Sequence, residues 1–209
     1  ALMIGLIVGG IDALFGRVLI AITDFRGRYI QILIWFLPIA GLFICWMYHR
    51  FNEMSLKGMT LVLETAQGKR ADIPLALVPL VMVGTWITHL FGGSAGREGV
   101  AVQIGATLSH WFARRFKFAD NRTILLIAGM AAGFGGLFQT PFAAVFFAME
   151  VVVTGKMLYQ AFLASLVAAV TASMFSNARY FSVFSSKVIV SIVYFLSLNS
   201  RKYLSNKVE

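Results

Sequence analysis

The sequence predicts an all-α integral membrane protein, and three observations carry that prediction. The chain is 59% hydrophobic, with a mean hydropathy of +0.80 and only 13% charged residues. A soluble domain carries roughly 25% charged residues and needs them to cover its core. Tyr29–Tyr48 is a charge-free run of 20 residues, about one bilayer span for a helix. Two further apolar segments are interrupted by glycine-rich stretches, GGSAGREGV at 92–100 and GFGGLFQTP at 133–141. Backbone that leaves the helix at membrane depth is tolerated only where protein or a water-filled cavity surrounds it. Short hydrophobic segments broken by Gly or Pro therefore point to a transport site.

The elements follow in chain order. Ala1–Ile22 is an apolar run interrupted by Asp12 and Arg17. No basic n-region or cleavage site precedes it, so it is not read as a signal peptide. Tyr29–Tyr48 comes next, with a kink expected at Pro38. His49–Arg70 is more polar and ends in an exposed turn, Gln67-Gly68-Lys69-Arg70. Pro74–Gly92 is apolar again, and Val100–Phe112, at 13 residues, is too short for a full span. Thr123–Thr154 is too long for one ordinary span, and its glycines and Pro141 are read as a break between two helices. Thr140 is placed to cap the second helix, and Pro141 suits its first turn because no donor is needed there. Leu158–Phe175 is a further apolar run. Val188–Leu198 is a short one of 11 residues, and Asn199–Glu209 is polar and basic.

The net charge of +9 does not indicate nucleic acid. The basic residues stand in short clusters between apolar runs (Arg26/Arg28, Lys69/Arg70, Arg114/Arg115/Lys117), as in the loops and interfacial edges of membrane proteins. The single cysteine, Cys45, cannot close an internal disulfide and is expected to be a small buried hydrophobe. No metal-ligand cluster surrounds it, and no cofactor is expected.

In GGSAGREGV, Gly96 is expected to let the chain turn sharply into a helix beginning near Arg97. The first amides of a helix lack internal partners and carry the positive end of its dipole, so they can bind an anion. Glu98 lies among them. A carboxylate there can occupy the anion site as a tethered surrogate, or take up a proton and leave. Burial would favour the neutral form. The plainer alternative is that Arg97 and Glu98 face lipid headgroups at an interfacial helix end. Gly92–Gly96 also matches the G-x-S-x-G pattern of serine nucleophiles. That would make Ser94 an intramembrane protease residue, but the histidines are only His49, His89 and His110, none in the later helices. At the second break the amides after Pro141 form another helix start. Phe138, Phe142, Phe146 and Phe147 stand around it, as ion-site walls or as ordinary packing and lipid contacts. Glu150 is read as a polar contact near the membrane surface.

With both breaks in view, Gly96-Arg97-Glu98-Gly99-Val100, followed by Val102-Gln103-Ile104-Gly105, resembles the GREGP…VQIG signature of the CLC family of chloride channels and anion/proton antiporters. Gly135–Ala144 resembles the family's following motif, and the likeness covers roughly Gly5–Tyr180. It implies a CLC-type fold with broken, re-entrant helices. Three departures resemble the family's fluoride-exporting branch. Val100 replaces a proline, Met59 in Lys57-Gly58-Met59-Thr60-Leu61 stands where a chloride-coordinating serine would be, and Val151 replaces an inner glutamate.

The resemblance implies fluoride/proton antiport with Glu98 as gate and proton carrier. Gly58, Met59, Thr60 and Val62 would line the anion path, and Gly96, Arg97, Gly99 and Val100 would supply helix-start contacts. Chloride is the alternative ion. The resemblance also implies a multi-pass protein of the bacterial inner membrane among lipid, and a homodimer at full length. Residues 1–181 correspond to one of the family's two inverted halves. Residues 182–209 depart from its pattern and read as a truncated or frame-shifted tail. A chain lacking the second half is expected to be inactive alone.

Overall fold

The computed structural model describes residues 1–69, 72–116, 122–152 and 157–176. All belong to one compact unit, Ala1–Ser176, and every regular element among them is helical. The helices are α1 (Leu2–Leu33), α2 (Leu37–Phe51), α3 (Met59–Ala66), α4 (Leu77–Leu90), α5 (Arg97–Arg115), α6 (Arg122–Phe138) and α7 (Pro141–Val151). A final helix, α8, covers residues 162–176 after a 3-10 turn at Tyr159–Ala161. The expected tail at 182–209 lies outside the described residues.

The centre of the fold is the antiparallel pair α5 and α6, and small residues set its spacing. A Cβ placed on Gly105 or Gly133 would strike the facing backbone, at Gly129 and Ala101 respectively, and one on Gly129 would strike Ser109. Apolar helices in lipid gain little from burying hydrophobic surface against each other. Association comes instead from van der Waals contact, which small residues allow at close range. Around the pair lie two apolar layers. On one side Phe15 and Leu19 of α1 and Val78, Val81 and Met82 of α4 pack against Val100, Ala101, Ile104 and Leu137. On the other, Leu61 and Val62 of α3 and Val145, Ala148 and Met149 of α7 pack against Val102, Leu126, Ile127 and Met130.

α1, α6 and α8 run parallel and in register. Ile4 and Val8 share a cluster with Ala128 and Ala132 and with Ala168 and Ala172. A Cβ on Gly5 would sit 2.6 Å from the Ala168 carbonyl, and one on Gly9 2.8 Å from that of Ala172. Four-residue spacing on all three helices is the seam that i, i+4 neighbours make on one helix face.

The structure corrects several expectations. The run Tyr29–Tyr48 is not one helix kinked at Pro38. α1 continues to Leu33 through a kink at Tyr29 (φ −125°, ψ 17°), a 3-10 turn covers Ile34–Phe36, and Pro38 lies in the first turn of α2. The reason is local: a proline within the first turn gives up no intrahelical hydrogen bond, whereas mid-helix it would. The run 100–112 belongs to a 19-residue helix, lengthened by its polar ends. Gly133, Gly135 and Gly136 do not break the chain. They are buried inside α6 as contact residues, and the break falls at Gln139-Thr140. Thr140 is the N-cap of α7 but makes no side-chain cap bond, while Pro141 opens the helix as expected. Cys45 is exposed rather than buried.

The end of α1, the 3-10 turn and α2 present Ile32, Trp35, Ile39, Leu42 and Trp46 outward. Leu2–Phe51 and Tyr159–Ser176 are the two stretches long and apolar enough to cross a membrane among the described residues. Outside the spans, Asp72 is held by Arg114 and hydrogen-bonded to His110 Nε2 at 3.3 Å. The Arg114 guanidinium is the main reason the Asp72 carboxyl lies below its ordinary pKa.

Two predictions follow from this packing. Gly133→Ala should destabilise the chain by about 1–3 kcal/mol, because the added methyl meets backbone. Gly41→Ala, where nothing lies within 4 Å, should instead gain about 0.5–1 kcal/mol. Denaturant titration in detergent micelles measures both, and equal effects would contradict the seam. For Asp72, a lowered folded pKa means stability that is present above the unfolded value of 3.8 and lost as pH falls through the folded one. The difference in melting temperature between wild type and Asp72→Asn should therefore shrink below that pH, and only modestly overall because the pair is half exposed.

Candidate functional site

The loop before α5 is shaped by two glycines other than the one anticipated. Gly92 has φ +85°, in the left-handed region, and a Cβ there would come 2.8 Å from Ile30 Cδ1. Gly93 donates its N–H to the Thr88 carbonyl at 2.8 Å, and a Cβ would sit 2.7 Å from Thr88 Cγ2. These close the end of α4. Gly96 is extended (φ −68°, ψ 121°), not sharply turned, and serves as the N-cap of α5 without a side-chain cap bond. Within the described residues nothing lies within 4 Å of a Cβ placed on Gly96.

Arg97 and Glu98 form the first turn of α5, and both are exposed. The expected burial of Glu98 is thus not present in this chain. Its carboxylate faces outward beside amides without intrahelical partners, which is where the helix dipole favours negative charge. Arg97 has electrostatic company. Its charge and that of Arg26 both reach the His89 ring, and Arg26 Nη1 donates to the His89 carbonyl at 3.4 Å. Both cations thus gather at the C-terminal, negative end of α4.

A second helix start meets the first. Gly58 adopts φ +50°, ψ −122°, a conformation that favours glycine, and caps α3. A Cβ on Gly58 would lie 3.6 Å from Gln103 Oε1, and one on Gly99 3.8 Å from Gln103 Nε2. The Gln103 carboxamide therefore stands between the glycines that open α3 and the first turn of α5. Gln103 is 9% exposed, and its backbone carbonyl accepts from Thr107 Oγ1 at 2.7 Å. Sequence reasoning quoted this residue but gave it no role. The available signal was an amide four residues after Gly99 in an otherwise apolar stretch. Met59 is half-buried against the larger core, and Thr60 is exposed. Val62 is fully buried in that core, so its side chain packs rather than lining an open path. Val100 is also a packing residue, 5% exposed.

The start of α7 lies at the same end of the α5–α6 pair, since Leu137 and Phe138 pack with Val100, Ala101 and Ile104. α6 packs against both α5 and α7, and Val102 of α5 shares a core cluster with Val145 and Met149 of α7, so the two anticipated helix starts share a level at one end of the bundle. Phe138 lies tilted against Phe134 (4.9 Å), which stacks on Phe147 (5.1 Å), while Phe142 and Phe146 face outward. Glu150 is exposed in the last turn of α7, consistent with a surface contact. The protease arrangement does not assemble. His89 Nδ1 is engaged with the Thr85 carbonyl at 2.9 Å, and no hydrogen bond links Ser94 to a histidine among the described residues. A cleft of about 390 Å³ lined by Asp72, His110, Trp111 and Arg114 opens at the opposite end of α5 and is separate from Glu98.

Known proteins match this chain in sequence and in fold. Residues 40–204 fit the family model for voltage gated chloride channels. A chloride/fluoride channel protein of Pseudomonas syringae pv. tomato is 36% identical over 177 residues, 84% of this chain and 39% of its own length. A voltage-gated ClC-type chloride channel, ClcB of Salmonella typhi, is 27% identical over 113 residues, 54% of this chain and 26% of its own. The crystal structure of a CLC-type fluoride/proton antiporter superposes with a TM-score of 0.82 at 48% identity, covering 84% of this chain and 45% of that one. The chain thus spans half or less of the length of these relatives. With a helical fold, broken segments at the motif positions and these matches together, the chain belongs to the voltage gated chloride channel family of membrane proteins.

Proposed function

We propose that this chain, over residues 1–181, is one half of a fluoride/proton antiporter that exports fluoride across the bacterial inner membrane, which it crosses several times. The observation that carries this reading is the likeness to the fluoride/proton antiporter, 48% identity with a TM-score of 0.82. Met59, Val100 and Val151, the three departures from the chloride pattern, support it. The full-length protein is read as a homodimer. Completion of the ion path requires the second half, so the chain alone is expected to be inactive.

In this mechanism Glu98 competes with the anion for the amides of the first turn of α5. Ionised, it occupies them; protonated, it is neutral and leaves them to the ion. One anion moving one way is thereby linked to one proton moving the other. The exposed position of Glu98 and the open space beside Gly96 support a mobile carboxylate rather than a packed one. Gly58, Met59 and Thr60 contribute the α3 side of the path, and Gly96, Arg97, Gly99 and Val100 the α5 side. Val62 contributes through packing. Fluoride is a strong hydrogen-bond acceptor and holds its water tightly, so a site for it must supply donors. Methionine supplies none, but the Gln103 amide does.

The test uses the longer protein that contains this chain, reconstituted in liposomes. Wild type should drive proton movement from a fluoride gradient. Glu98→Gln should reduce that movement to the level of protein-free liposomes, and coupled exchange surviving in Glu98→Gln would overturn the mechanism. Gln103→Leu should weaken apparent fluoride affinity roughly 10–150-fold, the usual worth of a hydrogen bond to a charged group. The relative named as a chloride/fluoride channel keeps a chloride reading in view. Transport of chloride as efficient as that of fluoride in the same liposomes would favour it.

A further inference from the structure

Asp12 is the feature that the anion site does not use. It lies in α1, ten residues past the helix start and so about 15 Å along the helix axis. It is 1% exposed, and neither carboxylate oxygen has a hydrogen-bond partner. A Cβ on Gly136 would come 2.8 Å from Asp12 Oδ2, so the carboxyl rests directly on the α6 backbone where a larger residue would not fit. The burial is complete within this chain, because α1, α6 and α8 enclose the position through Gly9, Gly136 and Ala172.

Among the described residues no charge compensates it. α6 carries only Arg122, at its far end, and residues 162–176 of α8 carry no ionisable side chain. α4 offers only His89, whose Nδ1 is bonded to Thr85. On α5, Arg97 and Glu98 are exposed at one end, and His110, Arg114 and Arg115 lie at the other. Arg17, Asp24, Arg26 and Arg28 follow on α1 itself. None pairs or hydrogen-bonds with Asp12. An isolated carboxylate removed from water is strongly disfavoured, and such a group takes up a proton instead. Ionisable residues retained inside a membrane are rare, and proton relays are among their recurrent uses.

We propose that Asp12 is a proton-binding site within the helix bundle, distinct from Glu98. The reaction is simple protonation: a proton from water adds to one carboxylate oxygen and returns to water when the bundle opens. The carboxyl sits against the residue at which the α6–α7 joint is tied, since Gln139 Nε2 donates to the Gly136 carbonyl at 2.8 Å. Gln139 Oε1 in turn accepts from Ser173 of α8 at 3.0 Å. Release of this joint is the route by which water would reach Asp12. The site does not depend on which anion is carried.

The experiment is infrared spectroscopy of the 209-residue chain in lipid nanodiscs, with aspartate carboxyl groups labelled with carbon-13. The sequence holds four aspartates, Asp12, Asp24, Asp72 and Asp120. A protonated-carboxyl band at neutral pH should shift with the label, shift again on transfer to heavy water, and be absent from Asp12→Asn. If Asp12→Asn does not fold, the band should persist when the other three aspartates are replaced by asparagine. Absence of a label-sensitive protonated band in the folded wild type would overturn the proposal. So would a band that survives in Asp12→Asn, or one that never exchanges in heavy water.

Discussion

The close approach of α5 and α6 is the constraint on which the rest depends. Gly105, Gly129 and Gly133 bring two backbones into contact, and any side chain there would push them apart. The pairing fixes the axial register of α5 against α6. That register puts the first turn of α5, with Glu98, level with the end of α6 and hence with the start of α7. Gln103 stands one turn further along α5 and meets the glycine that opens α3. The geometry of the helix starts is therefore a property of a glycine seam remote from any ion. Substitutions in the seam would act on the site by displacing whole helix ends.

Much of this was legible in the sequence, and what was not has definite causes. The two interruptions were readable because glycine and proline mark where a helix begins. The break before Pro141 fell where proline chemistry places it. The role of Gly133, Gly135 and Gly136 was not readable, because a glycine that allows a turn and one that allows helix contact look the same in one dimension. Pro38 posed the related problem: whether it kinks a helix or starts one depends on where the preceding helix ends, and here α1 ends at Leu33, before the 3-10 turn at Ile34–Phe36. Cys45 and Glu98 were assigned burial from local composition. In an apolar helix, composition does not say which face turns outward. Gln103 went unassigned because its neighbours Gly58 and Gly99 converge on it only in three dimensions.

Two carboxylates illustrate opposite solutions to charge in an apolar protein. Glu98 lies at a helix start, where unpaired amides and the dipole provide counter-charge and the surroundings are open. Asp12 lies mid-helix, enclosed by glycine and alanine, with nothing to offset an ionised form. Their environments set them apart as a residue that can move and a residue that cannot. The exposed apolar face of α2 belongs to the same logic, since it carries the large side chains absent from the central seam.

The joint between α6 and α7 also has a place in time. Gln139 is the one non-glycine residue among those described with a left-handed backbone, at φ +59°. Such a conformation is uncommon for a residue with a side chain. It is held by Gly136 on its own helix and by Ser173, 34 positions later in the chain. During synthesis the Gln139 side chain therefore has only its Gly136 anchor until α8 has been made and has docked. The entry of α7 thus gains its second tie, to Ser173, only when the last described helix is in place.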